Sequence, residues 1–160
     1  MGWSNNQKKT IATLALYPTL WESAMVFQIK RMGYNEHRWL DSGDVPNVQF
    51  LASVCEIARQ TQDVMHWLPT REVKTLLAFI KQYGADHIPS NLNIRVSSPM
   101  VNDKPLNAFD NVPQITTSTV HDKHNAPQGH SCPARNQGNA CGDCRACWNS
   151  KVANVSYPIH

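Results

Sequence analysis

No apolar run in this chain approaches the ~20 residues needed to cross a bilayer, so no membrane-spanning helix is expected. Charge is sparse as well. Only 17% of the 160 residues are charged, and 15 Lys and Arg against 12 Asp and Glu leave a net +3. With the basic residues scattered, that balance leaves no electrostatic footprint for a nucleic-acid partner, which stays unsupported. The chain has no G-x-G-x-x-G, no Walker loop, no H-E-x-x-H and no G-x-S-x-G, so nucleotide hydrolysis and serine-type catalysis lose their usual support. No repeat at a period of ~20–50 residues is visible, which sets solenoids aside. Lys8-Lys9 before Ile11 to Leu20 faintly resembles an export signal. Thr10, Thr13, Pro18 and Thr19 dilute it, and a packed N-terminal helix turn is the better reading. Asn6 stands where a myristoylation site after Met1-Gly2 needs Ser or Thr.

What is present is a composition that packs: 41% hydrophobic residues and five Trp. The length suits one domain, residues 1–160, with one core. Two textures divide it. From Trp21 to Ser97 the pattern is periodic, whereas from Ser98 onward Pro, Asn, Gly and Ser isolate the apolar residues.

In the periodic half, Trp21 to Met32 reads as a helix closed by Gly33. His37 to Leu40 reads as a short strand running into the polar turn Asp41-Ser42-Gly43-Asp44. Val48, Leu51, Val54, Cys55 and Ala58 then share one face of a helix started after Pro46-Asn47. Val64 to Leu68 suits a buried strand. Thr70 is expected to cap the next helix, whose stripe is Val73, Leu76, Leu77 and Ile80 and whose end is Gly84. Leu92, Ile94 and Val96 alternate with Asn93, Arg95 and Ser97, the period of a strand with one buried face. Ile115 to Val120, rich in Thr and Val, is a candidate extra strand.

The expected fold is therefore α/β. It is a small open, mostly parallel sheet with a β-α-β-α-β core over 21–97, joined to an irregular segment over 98–160 that carries a cysteine-rich C-terminal metal-binding loop. Function in such sheets collects at the carboxyl ends of the strands. That places Asp41 to Asp44, Pro69-Thr70-Arg71 and Ser98-Pro99 on one rim, with Asp44, Thr70 and Arg71 as a candidate ligand-binding set. The plainer reading of Asp41 and Asp44 is turn chemistry.

Four of the five cysteines fall within sixteen residues: Cys132, Cys141, Cys144 and Cys147, a C-x8-C-x2-C-x2-C pattern. Three cysteines spaced by two form the loop that wraps one side of a [4Fe–4S] cube in bacterial ferredoxins, and Cys132 is the obvious fourth ligand. Gly138, Ala140, Gly142 and Ala146 would let backbone amides approach the cluster sulfurs. Four thiolates also satisfy Zn2+, although zinc sites usually pair two separated C-x2-C units. Disulfides need an oxidising compartment and a bridge geometry that tight spacing reaches poorly. His121, His124 and His130 precede the loop, and each is a candidate substitute for Cys132. Trp148 is placed to shield the metal. Cys55 and His66 read as core residues, the first a small hydrophobe and the second hydrogen-bonded.

The stretch Arg38-Trp39-Leu40-Asp41-Ser42-Gly43-Asp44, the later Trp67-Leu68-Pro69-Thr70-Arg71, Cys132-Pro133-Ala134, Cys141 to Trp148 and the closing Val155-Ser156-Tyr157-Pro158 resemble the bacteriophage "gene product 88" domain family, over roughly Trp21 to His160. The resemblance implies a phage protein acting in the host cytoplasm, and it assigns no activity. Family members carry an earlier cysteine-bearing segment; Met1 to Leu20 has none, so the chain looks like a shortened form. The layout is also distantly similar to radical SAM half-barrels, whose C-x3-C-x2-C loop is absent here.

The leading functional expectation is a phage iron–sulfur protein, its [4Fe–4S] cluster held by Cys132, Cys141, Cys144 and Cys147 in a structural, redox or cluster-transfer role, with an unidentified redox or host partner. The alternative is a zinc-stapled structural or binding module, one that could associate with nucleic acid. An enzyme built on the Asp44, Thr70 and Arg71 rim is the third, and enzymatic activity is left open.

Overall fold

The computed structural model describes residues 5–41 and 43–159. Ser42 of the predicted turn, the Met1-Gly2 terminus and His160 lie outside the described residues. Helix α1 (Asn5–Leu16) leads into α2 (Pro18–Met32), where proline occupies the first turn, a position whose amide would be unpaired in any case. Gly33 ends α2 in the left-handed conformation at φ 67°, as the sequence predicts. Strand β1 is Glu36–Arg38, shorter than the predicted His37–Leu40, because Leu40 turns into the left-handed region at φ 55° and breaks the ladder.

Helix α3 (Val48–Gln60) starts where Asn47 accepts a hydrogen bond from the Phe50 amide on its side-chain oxygen at 2.9 Å. Its buried face, Phe50, Leu51, Val54, Cys55, Ile57 and Ala58, recurs at helical spacing. Strand β2 (Met65–Thr70) follows, then α4 (Val73–Tyr83) and β3 (Leu92–Val101). Thr70 is the last residue of β2 rather than the cap of α4. The cap position is Glu72, without a side-chain bond, while Thr70 Oγ1 accepts from the Glu72 amide at 3.0 Å.

Strands β4 (Ile115–His121), β5 (His130–Ser131) and β6 (Asn154–Pro158) complete an open, curled six-stranded sheet of order β1-β2-β3-β4-β6-β5. Every pairing is parallel. The segment 98–160, read as irregular, thus supplies three strands, with the cysteines in the connection between β5 and β6. The two edge strands are the shortest, three residues in β1 and two in β5.

Parallel sheets are normally covered on both faces, and this one is. Leu68, Leu92, Ile94, Val96 and Ile115 join α2, α3 and α4 in the larger core. Trp67 and Val155 join a smaller cluster with Ala146 and Cys147. Strand β3 is accordingly buried at every residue from Leu92 to Val96, not on one face as its alternation suggests. Its polar Asn93 and Arg95 lie beneath the cysteine-bearing connection instead of facing water.

Candidate functional site

The cysteine connection is short of regular structure and is held by side chains of the sheet. After β5 the Cys132 amide donates to the Ser156 carbonyl at 2.9 Å, extending the β5–β6 ladder by one residue. A 3-10 turn at Ala134–Gln137 ends at Gly138 (φ 62°). The Cys144 amide then donates to the Cys141 carbonyl at 3.0 Å, a turn that brings these two cysteines onto one loop. Gly142 lies inside it at φ 53°, where a Cβ would meet the Gln137 side-chain oxygen at 3.0 Å. A last 3-10 turn, Ala146–Trp148, lays Cys147 against the sheet.

Four anchors fix this loop. Arg145 Nε donates to Glu36 Oε1 at 2.8 Å, tying the turn to β1, and its Nη1 donates to the Gly142 and Cys144 carbonyls. Asn93 Nδ2 donates to the Cys147 carbonyl at 2.8 Å. Trp148 Nε1 donates to the His37 carbonyl at 3.0 Å, and its ring meets Trp67 edge to face at 5.1 Å. Trp148 is therefore an anchor between the loop and the first two strands. Arg95, the fourth, donates from Nη1 to the Thr117 carbonyl at 2.6 Å and from Nη2 to those of Ala146 at 3.0 Å and Val152 at 3.2 Å.

Cys132, Cys144 and Cys147 all pack on the small cluster built on Trp67 and Val155, whereas Cys141 is exposed. All five cysteines are free thiols, so the disulfide alternative has no counterpart here. Cys147 is buried, and Tyr157 Oη lies 3.2 Å from its sulfur. Burial pushes the Cys147 thiol up, while the Tyr157 hydrogen bond and the Arg95 charge pull it down. Tyr157, itself raised by burial and by Cys147, stays protonated and can donate to the sulfur. Cys144 Sγ lies 3.4 Å from His130 Nε2, placing one of the three flagged histidines beside the cysteines. His121 instead meets Ser156 Oγ at 2.7 Å, and His124 is exposed. Among the described residues, no three His, Cys, Asp or Glu side chains stand together as a site for one metal ion.

The predicted rim also comes together, but closed. Asp44 Oδ1 accepts from Thr70 Oγ1 at 2.5 Å and from the Val45 amide at 2.7 Å, and Oδ2 accepts from the Arg71 amide at 2.8 Å. The carboxylate joins the exit of β1 to the exit of β2; Asp41 is exposed. His66 and Cys55 are core residues, as predicted. In the sequence Asn93 and Arg95 read only as the polar side of a strand, and Trp67 and Tyr157 as parts of the family motifs, none of them as site residues. The signal available was the parallel sheet itself, whose second face must be covered.

The sequence profile of the family described as gene product 88 matches residues 2–150. The chain belongs to the gene product 88 family. The matched span begins before Trp21, where the resemblance in the motifs starts, and stops short of β6, so Val155 to Pro158 lie beyond it. No curated protein and no solved structure matches the chain. The family description names a gene product and no chemistry, so the chemistry of this gene product 88 chain has to be argued from its side chains. No described helix is long and apolar enough to cross a membrane.

Proposed function

We propose that this gene product 88 protein binds a [4Fe–4S] cluster through Cys132, Cys141, Cys144 and Cys147, in a structural, redox or cluster-transfer role in the host cytoplasm with a redox or host protein as partner. The observation that carries the reading is the gathering of Cys132, Cys144 and Cys147 on one small cluster, with Cys141 on the same tight turn as Cys144. A single zinc ion needs all its sulfurs at ~2.3 Å from one centre. Zinc sites usually pair two separated C-x2-C units, whereas three cysteines in so short a span suit a polynuclear core. The loop's own backbone hydrogen bonds are confined to short turns and it leans on Arg145, Asn93 and Arg95, which suits a segment completed by a bound group. With four thiolates engaged, no iron position is left open for substrate, which favours structure or electron transfer over Lewis-acid chemistry.

Anaerobically purified protein should be brown, with a broad visible charge-transfer band that dithionite bleaches. Cys144→Ser should lose iron and melt at lower temperature, because ligand binding and loop folding are coupled. Colourless protein carrying stoichiometric zinc would replace this reading with the zinc-stapled module. A Cys144→Ser variant that keeps its full iron content would remove Cys144 from the ligand set.

A further inference from the structure

Among the described residues, the largest side chain wholly withdrawn from solvent is Arg95, 0% exposed, and no Asp or Glu pairs with it. The salt bridges among the described residues are Arg59 with Glu56 and Arg145 with Glu36. A guanidinium stays charged in proteins, and a buried charge without an opposite one is costly. Carbonyls of Thr117, Ala146 and Val152 accept its Nη protons but carry only partial charge. Its Nε–H has no partner among the described residues, and neither has the indole N–H of Trp67, a residue only 7% exposed. Buried donors in native proteins are nearly always met, so two unmet ones need an acceptor. Both belong to the covered second face of the sheet. Trp67 shares its small cluster with Cys147, and Cys132 and Cys144 pack against it. Arg95 is bonded to the backbone of the same turn that carries Cys147. Among the described residues no carboxylate pairs with Arg95 to supply the missing negative charge, whereas a metal centre ligated by four thiolates is anionic and its sulfurs accept hydrogen bonds.

We propose that Trp67 and Arg95 are the donor shell of the cysteine centre: their unmet N–H groups donate to its sulfur atoms, and the Arg95 charge offsets its negative charge. This rests on the iron–sulfur reading above. Donors to sulfur favour the reduced, more negative state, so they raise the reduction potential. Both are positioning residues, since neither ligates iron.

The test uses full-length protein reconstituted anaerobically with iron and sulfide, each variant first checked as folded by circular dichroism. Trp67→Phe removes one N–H and keeps an aromatic ring; Arg95→Lys keeps the charge and removes Nε. Each should retain the iron content of wild type and shift the reduction equilibrium about tenfold toward the oxidised form, ~59 mV lower for a one-electron couple. If one variant misfolds, the other carries the test. If both misfold, the donor shell gives way to a purely architectural role. Iron-loaded variants whose equilibrium moves less than about twofold overturn the donor shell and leave the cluster intact as a reading. Wild-type protein that takes up no metal overturns both. Should wild type hold zinc, the cluster reading falls, and chelator competition decides the donor shell: about tenfold weaker zinc binding in the variants sustains it, and unchanged binding overturns it.

Discussion

His66 makes folding stability depend on pH, with a sign that its surroundings dictate. The ring is fully buried on β2, with Trp39 Nε1 donating to its Nδ1 at 3.2 Å and Thr61 Oγ1 lying 2.9 Å from its Nε2. Thr61 already donates its hydroxyl proton to the Ile57 carbonyl, so it accepts from Nε2–H, and the imidazole is neutral with both nitrogens engaged. Burial, and then the neighbouring His37, lower its pKa from 6.5 to about 4. The folded protein therefore binds this proton less readily than the unfolded chain. The stability it contributes is complete above about pH 6.5, declines below that as the unfolded chain takes up the proton, and is gone once pH has fallen through about 4. Linkage over that window gives a loss of about 2 kcal/mol at pH 5 and about 3 kcal/mol at its lower end. His37 is also lowered by burial and pushes the same way, so the informative quantity is a difference. Urea unfolding of wild type and His66→Gln at pH 7.5 and at about pH 5 should show a steep pH dependence in wild type and a shallower one in the variant, by about 2 kcal/mol. The variant will be less stable at both pH values, because it breaks the Trp39 and Thr61 bonds. Equal pH slopes for the two proteins, or an NMR titration of His66 near its unperturbed value, would refute the reasoning.

Four further outcomes follow from the packing. Leu68→Ala removes a fully buried side chain from the sheet face under α3 and α4 and should cost about 2–5 kcal/mol in chemical denaturation. Asp44→Ala leaves the Thr70 hydroxyl and the Val45 and Arg71 amides without their acceptor and should cost about 1–3 kcal/mol while metal content stays unchanged; altered metal content would connect the rim to the cysteine loop. Gly129→Ala puts a Cβ 2.7 Å from the Asn154 carbonyl at φ +82° and should destabilise β5 and β6 by about 1–3 kcal/mol, read as faster hydrogen exchange in Val155 and Ser156. In metal-free protein, iodoacetamide should modify exposed Cys141 readily and spare Cys55, whose thiol burial raises to about 12; early modification of Cys55 would show that α3 opens.

The helical half of the fold was legible because its signals are local. Asn47 caps α3, Gly33 ends α2, and Leu51, Val54, Cys55 and Ala58 mark the buried face, all within one or two turns of chain. Strands β5 and β6 were not, since five residues of mixed polarity at Asn154 to Pro158 become a strand only when β4, more than thirty residues earlier, lies alongside. Asp44, Thr70 and Arg71 were identified as a group and do meet, but the sequence is silent on whether a carboxylate's acceptor sites are free or filled by backbone amides. Spacing singled out the cysteines. The residues beneath them were hidden by their own regularity, because Asn93 and Arg95 alternate with Leu92, Ile94 and Val96 as solvent-facing residues would. What makes them buried is a segment some fifty residues downstream.

The brevity of the outer strands has a consequence for how this protein behaves at high concentration. A sheet with long, flat margins offers a row of open amides and carbonyls on which another chain can polymerise. Here the ten-residue β3 is sequestered in the middle, and the margins are β1 with three residues and β5 with two. The molecule therefore presents almost no template for edge-to-edge growth while its last strands are in place. Losing the short ladder at Cys132 and Ser156 would uncover β6, making that end the place from which fibrous aggregates begin.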